Sequence, residues 1–179
     1  MKNRRRAVFF GLSDIFPFVG IMLKLTWSDD MIIQLDERNE KTAEAIQKIQ
    51  KAAYQIEADL IGFQGIPQLN ETVKKIQNSG EVFIGFMDKK LTGFISYKEQ
   101  GAIVDIHRLA VNPEHFRKRI AKELLAFLLE YFEGREFIVS TGAGNKPAKR
   151  LYESFGFIEE KDFQVAPGVY CTEYRKKNN

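Results

Sequence analysis

The sequence predicts an α/β fold, a mixed sheet flanked by helices, and three observations carry that expectation. Helical periodicity comes first, then a meander of strand-like runs, then alternating strand and helix before two closing strands. No linker divides the chain, and 179 residues fit one domain with a core of its own. Composition is 44% hydrophobic and 28% charged, which argues against disorder and against a fibrous repeat.

The run Met31, Ile32, Ile33, Gln34, Leu35 reads as the first strand. A polar helix is expected over 37–58, with Ala45, Ile49 and Ala53 at helical spacing, until Gly62, Gly65 and Pro67 break it. A short helix over 70–77 stops at Ser79-Gly80. Strands at 81–87 and 91–97 form a hairpin through Asp88-Lys89-Lys90, and a longer strand at 102–111 ends at Asn112-Pro113, where proline cannot continue a ladder. The next helix presents Ile120, Leu124, Phe127, Leu128 and Tyr131 on one face and ends by Gly134. Residues 136–140 make a short buried strand, and 141–144 a flexible turn. Asn145 caps a further helix whose first turn tolerates Pro147 and whose end meets Gly156. Strands at 157–162 and 169–175 close the chain.

Residues 1–30 differ from the rest. A basic start, Lys2 to Arg6, precedes an apolar run over 7–27 that is interrupted by Ser13-Asp14, Pro17 and Lys24. A signal peptide would need an uninterrupted apolar stretch and a cleavage site. A membrane span would bury Asp14 at a cost of about 2.5–3.5 kcal/mol on the insertion scale. The reading adopted is that Met31 opens the domain over 31–179 and that 1–30 is an atypical leader outside it. An interfacial anchor or a signal-like segment are the other two. Five basic and three acidic residues leave +2 in the leader; with a total of +3, residues 31–179 carry only +1. Nucleic acid is therefore not an expected partner. The lone Cys171 has no cysteine to pair with inside the chain, which suits a reducing, cytoplasmic location. No metal site and no membrane partner are expected, and a homodimer is compatible with the sequence.

The strongest chemical signal is the segment 109–121, LAVNPEHFRKRIA. A buried strand stops at Pro113, a basic loop with Arg117, Lys118 and Arg119 follows, and an amphipathic helix begins. Free N–H groups and the macrodipole at such a helix start attract anions. Taken alone, the segment equally describes a solvated basic turn. The second segment is 145–157, NKPAKRLYESFGF.

The first segment resembles the acetyl-CoA signature of the GNAT superfamily of N-acetyltransferases, a strand ending V-x-P-x-x-[QR]-x-x-G-x-[GA] before a helix. Val111, Pro113, Ala121, Leu124 and Leu125 match. The second resembles that family's N-x-x-A-x-x-L-Y-x-x-x-G-F, and nearly every position agrees. The two lie in the family's order, one helix and one strand apart. The resemblance covers essentially all of 31–179 and implies a central, mostly antiparallel, twisted sheet. It also implies acetyl-CoA as co-substrate. Leu109, Ala110 and Val111 would hold the pantetheine arm; Arg117, Lys118, Arg119, Ile120 and Ala121 would hold the pyrophosphate. Two positions depart from the pattern: Phe116 replaces Gln or Arg, and Arg119 replaces a glycine, where its Cβ is expected to crowd the phosphate.

The implied reaction is acetyl transfer to a primary amine, on a small molecule or a peptide. The attacking amine must be neutral, and a lysine-like amine titrates near 10.4, so a base is needed. Tyr152 matches the family tyrosine at the CoA sulfur and is expected to act as the acid, although it also sits where a core aromatic would. Asn145 would bind the pantetheine or acetyl carbonyl while capping its helix. His107, with Asp105 two residues away on its strand, is the expected base. Glu57, Tyr54 and Phe63 are expected to wall the acceptor site, with Glu57 a further candidate base. The competing readings are an acyl-CoA-binding regulatory domain without turnover and, were residues 7–27 to lie in an interface, a membrane-associated acyltransferase.

Overall fold

A computed structural model describes the backbone of residues 22–24 and, with side chains, residues 31–177. The remaining leader lies outside the described residues. The exception is Met22–Lys24, strand β1, which pairs antiparallel with Met31–Leu35, strand β2.

Helix α1, Glu40–Ile61, starts three residues after the sequence expectation because the Asn39 side chain accepts from the Thr42 N–H and fixes the start there. It runs three residues longer, to Gly62, whose φ of 70° ends it in the left-handed region. Its buried stripe is Ala43, Ile46, Ile49, Gln50 and Ala58, with Ala45 only half-buried. A 3₁₀ turn over Pro67–Asn70 and the short helix α2, Val73–Gln77, replace the single helix expected at 70–77. Strands β3 (Val82–Asp88), β4 (Lys90–Gln100) and β5 (Ile103–Val111) form the meander. Helix α3 is Ile120–Tyr131, β6 is Glu136–Gly142 and α4 is Lys146–Ser154. The flexible turn expected at 141–144 is half strand: Thr141 and Gly142 pair with Thr172 and Cys171. Strands β7 (Ile158–Ala166) and β8 (Val169–Lys176) close the chain.

The sheet order is β1-β2-β3-β4-β5-β6-β8-β7, antiparallel throughout except for β5 beside β6. Side chains alternate across a strand, so each face builds its own core. Ile84, Ile95, Val104 and Ile106 pack with Leu124, Leu125 and Leu128 of α3 and Tyr152 of α4. Phe83, Phe94 and Ala110 pack with Ala43, Ile46 and Ile49 of α1 and Ile76 of α2.

One irregularity positions the site. Tyr97 pairs with Ile106 and Ser96 with Arg108, so β5 carries one extra residue, His107, at a β-bulge. The bulge shifts the alternation by one. Val104 and Ile106 face α3, whereas beyond the bulge Leu109 and Val111 take that face and Arg108 and Ala110 turn toward α1.

Candidate functional site

Strands β5 and β6 pair in parallel from Ile103↔Glu136 to Ile106↔Val139, and there the ladder stops. Both strands go on: β5 stays bonded to β4 as far as Val111↔Gly93, and β6 to β8 as far as Gly142↔Cys171. Past His107 and Ser140 they therefore face each other across an unpaired gap. The Asn112 N–H donates to the Thr92 carbonyl, so beyond the bulge the even-numbered residues of β5 point their peptide groups at β4. Leu109 and Val111, the odd-numbered ones, direct theirs into the gap. An extended ligand could add to this edge as a strand does. Ala110 does not belong there. Its side chain packs on the α1 face and its carbonyl lies on the β4 side, against Gly93.

A groove of about 690 Å³ runs from this gap along the starts of α3 and α4. Leu109, Val111, Arg117, Arg119, Ile120 and Ala121 line it, joined by Lys122 and by Arg150 from α4. Arg117 and Arg119 both have positive φ, 62° and 68°, and Arg119 is the residue that starts α3. No side chain caps this start, and the first backbone bond into the helix is Glu123 N–H to the Arg119 carbonyl, 3.0 Å. The N–H groups of Ile120, Ala121 and Lys122 precede that bond and are free for an anion. Lys118 is exposed and does not line the groove, so its expected contact is not made by this geometry. His115 does line it, and its Nδ1 is buried without a partner. Sequence reasoning missed His115 because it occupies an unspecified position of the signature. The local signal was a polar ring one turn before an anion-binding helix start. Phe116 lies at the rim, exposed.

A second cavity, about 350 Å³, opens on the α1 face. Tyr54, Glu57, Leu109, Asn145, Ala148 and Tyr152 line both spaces, so the cavity and the groove meet at these six residues. Tyr152 comes from α4, whose start is held by the Asn145 side chain accepting from the Ala148 N–H at 3.2 Å. Its ring packs on Phe157 and Tyr174 in the core, so it is both a core aromatic and part of the site. Burial, and then the Glu57 charge, push the Tyr152 phenol well above its ordinary range. The same two causes, with Tyr152 itself next, raise Tyr54. Both phenols stay protonated near neutrality, so each keeps an O–H to donate.

Glu57 sits near the end of α1, where its carboxylate accepts from Thr141 Oγ1 at 3.3 Å and from the Gly142 N–H at 3.4 Å. These long contacts leave it room to accept another proton. His107 lines the second cavity only, 3.3 Å from Asp105 and 3.8 Å from Glu81. His107, the base expected from the sequence, shares that cavity with Tyr152 but does not reach the groove, whereas Glu57 lines both spaces with Tyr152. Phe63 also lines only the second cavity.

A model of the Acetyltransferase (GNAT) family matches residues 43–157, which contain both motifs and every element of this junction. The chain belongs to that family. UPF0157 protein YqkA of Bacillus subtilis (strain 168) is 40% identical to this GNAT chain over 141 residues. The match covers 78% of the present chain but 41% of that protein, so the chain spans about two fifths of the relative's length. Among solved structures, the ribosomal-protein-S18-alanine N-acetyltransferase of Escherichia coli superposes with a TM-score of 0.65 at 18% identity, covering 82% of this chain and 92% of that one. PaiA N-acetyltransferase of Thermoplasma acidophilum, solved in complex with coenzyme A, gives 0.62 at 20% identity, covering 83% and 99%. At such identities the superpositions establish the GNAT fold, a mixed sheet flanked by helices. Among the described residues no helix is long and apolar enough to cross a membrane.

Proposed function

We propose that this protein transfers an acetyl group from acetyl-CoA to a primary amine by direct attack on the thioester. The meeting of groove and cavity at Tyr152 and Glu57 carries the reading, because it brings an acid and a base to one point between two binding spaces. Acetyl-CoA supplies a thioester whose carbon–sulfur bond is exchanged for a carbon–nitrogen bond. Leu109 and Val111 offer free peptide groups to an extended pantetheine arm. Ile120, Ala121 and Lys122 offer N–H groups to phosphate oxygens, with Arg117, Arg119, Lys122 and Arg150 supplying charge. Asn145 spends its Oδ1 on the helix cap, so its amide N–H₂ remains to donate to a carbonyl.

The acceptor nitrogen gives up two protons in all. Glu57 takes one and passes it to solvent, and the other ends on the departing sulfur. Tyr152 stabilises that sulfur by donating a hydrogen bond. The same geometry serves an acyl-CoA-binding regulator only if no amine is turned over. The deciding experiment measures thiol release from acetyl-CoA with a panel of amines, alongside the melting temperature. Acetyl-CoA should raise the melting temperature by mass action, and at least one amine should release thiol. A stability gain without thiol release from any amine would favour the regulatory reading. No stability gain at millimolar acetyl-CoA would reject the cofactor.

A further inference from the structure

The wall of the second cavity carries charges and apolar surfaces that bear on which amine it accepts. Among its lining residues Glu57 is the one carboxylate, and Arg108 and His107 are the cationic candidates. Arg108 is unavailable. Its Nε donates to Glu81 at 2.7 Å and one terminal nitrogen to Gln50 at 2.6 Å and to Glu71. The other reaches Glu81 at 2.7 Å and Glu71 at 3.2 Å. All five guanidinium donors are matched by acceptors, and two carboxylates oppose the single positive charge. His107 stands between two further carboxylate contacts, with Asp105 and Glu81. An anionic group entering here would meet Glu57 with no free cation to pair with.

Beyond the junction the wall carries polar Gln68, Ser140 and Thr141 together with an apolar patch. Phe63, Ile66 and Pro67 come from the loop after α1, and Val165 and Val169 from the β7–β8 hairpin. A bulge between Gln164 and Ala166 leaves Val165 unpaired on its strand. A second ammonium lying against this patch would be desolvated without a carboxylate to pair with. One carboxylate suits one ammonium, and the apolar patch suits an apolar body.

We infer that the second cavity binds, as the amine substrate, a small primary monoamine with an apolar body and no carboxylate beside the amine. This rests on the acetyl-transfer reading above, and its test separates the two. Full-length protein saturated with coenzyme A is titrated calorimetrically with 2-phenylethylamine, L-phenylalanine, 1,4-diaminobutane and phenylalanyl-alanine amide. The expected result is that 2-phenylethylamine binds at least about tenfold more tightly than each of the others, the range that one misplaced charge or unpaired polar group produces. Glu57→Gln should weaken the arylalkylamine and shrink its advantage over phenylalanine. Equal or tighter binding of the amino acid, the diamine or the dipeptide amide overturns the inference, as does no binding of 2-phenylethylamine. Selective binding of 2-phenylethylamine without thiol release from acetyl-CoA supports the inference while rejecting the transfer reading.

Discussion

Arg117 and Arg119 flank Lys118 with left-handed backbones, φ 62° and 68°, at the one turn that delivers the chain into α3. The glycine of the family signature stands where Arg119 does, and the positive φ explains that glycine better than crowding by a Cβ. A non-glycine residue in this conformation costs roughly 1–2 kcal/mol. Arg119→Gly removes that strain but gives the unfolded chain more freedom, so a gain of up to about 1 kcal/mol is expected in urea unfolding. The exposed guanidinium attracts phosphate only through a screened field. Acetyl-CoA affinity should therefore fall modestly at low salt and match the wild type at high salt. Much tighter binding of the variant at every salt concentration would show that the side chain obstructs the groove.

The architecture was legible wherever periodicity and breakers agreed. The Asn145 cap and the stop at Asn112-Pro113 appear where the residues place them; the α3 face keeps Ile120, Leu124 and Leu128 but buries Leu125 as well and leaves Tyr131 exposed. Less legible were features that depend on a neighbour. The bulge at His107 exists only relative to β4, and it decides that Arg108 and Ala110 face α1 while Leu109 faces the groove. A contiguous motif suggests Ala110 and Lys118 for the cofactor, but Ala110 turns its peptide groups to β4, and Lys118, in the loop beyond β5, is exposed off the groove. Glu57 and Tyr152 lie 95 positions apart, and their shared cavity wall could not be read from local spacing. The pairing of Met22–Lys24 with β2 also escaped a boundary placed at Met31.

Tyr152→Phe keeps the ring that packs on Phe157 and Tyr174 and removes only the hydroxyl. Because burial raises this phenol, full proton transfer to sulfur is uphill and its contribution is mainly a hydrogen bond to developing charge. Such a bond is worth about 1.5–3 kcal/mol, so kcat should drop roughly 10- to 150-fold. Melting temperature and acetyl-CoA affinity should hold. Unchanged kcat would leave Tyr152 a core aromatic and nothing more.

Gly65→Ala tests the acceptor wall without touching the groove. A Cβ built on Gly65 runs into Cζ and both Cε atoms of Phe63, so the ring must move. The obstruction is the end of a side chain, and the substitution should cost little stability. KM for the amine should change severalfold while acetyl-CoA binding stays constant. Parallel loss of cofactor binding would place Phe63 in the wrong space.

The charged cluster behind the acceptor cavity makes a prediction about pH. Arg108 and Glu81 are each 5% exposed and Glu71 15%, and Arg108 holds both carboxylates. Burial alone would raise the Glu71 carboxyl, but hydrogen bonds from Arg108 and Gln50 outweigh it and the net shift is downward from 4.5. A carboxylate depressed in the folded state stabilises fully above its unfolded value and loses that contribution as pH falls through the folded one. Arg108→Met leaves Glu71 and Glu81 buried without their guanidinium partner, a change that costs about 3–5 kcal/mol near neutrality. The Glu71 pKa then rises, because burial is no longer opposed by the guanidinium, and acid helps the variant by neutralising this carboxylate. The stability gap between wild type and Arg108→Met, read by urea unfolding, should thus be widest at neutral pH and narrow below 4.5. If the single variant does not fold, Arg108→Met combined with Glu71→Gln and Glu81→Gln should recover most of the loss, since no unpaired charge remains. A gap independent of pH would mean that Arg108 acts by packing, through its contact with the Phe83 ring, and not by charge.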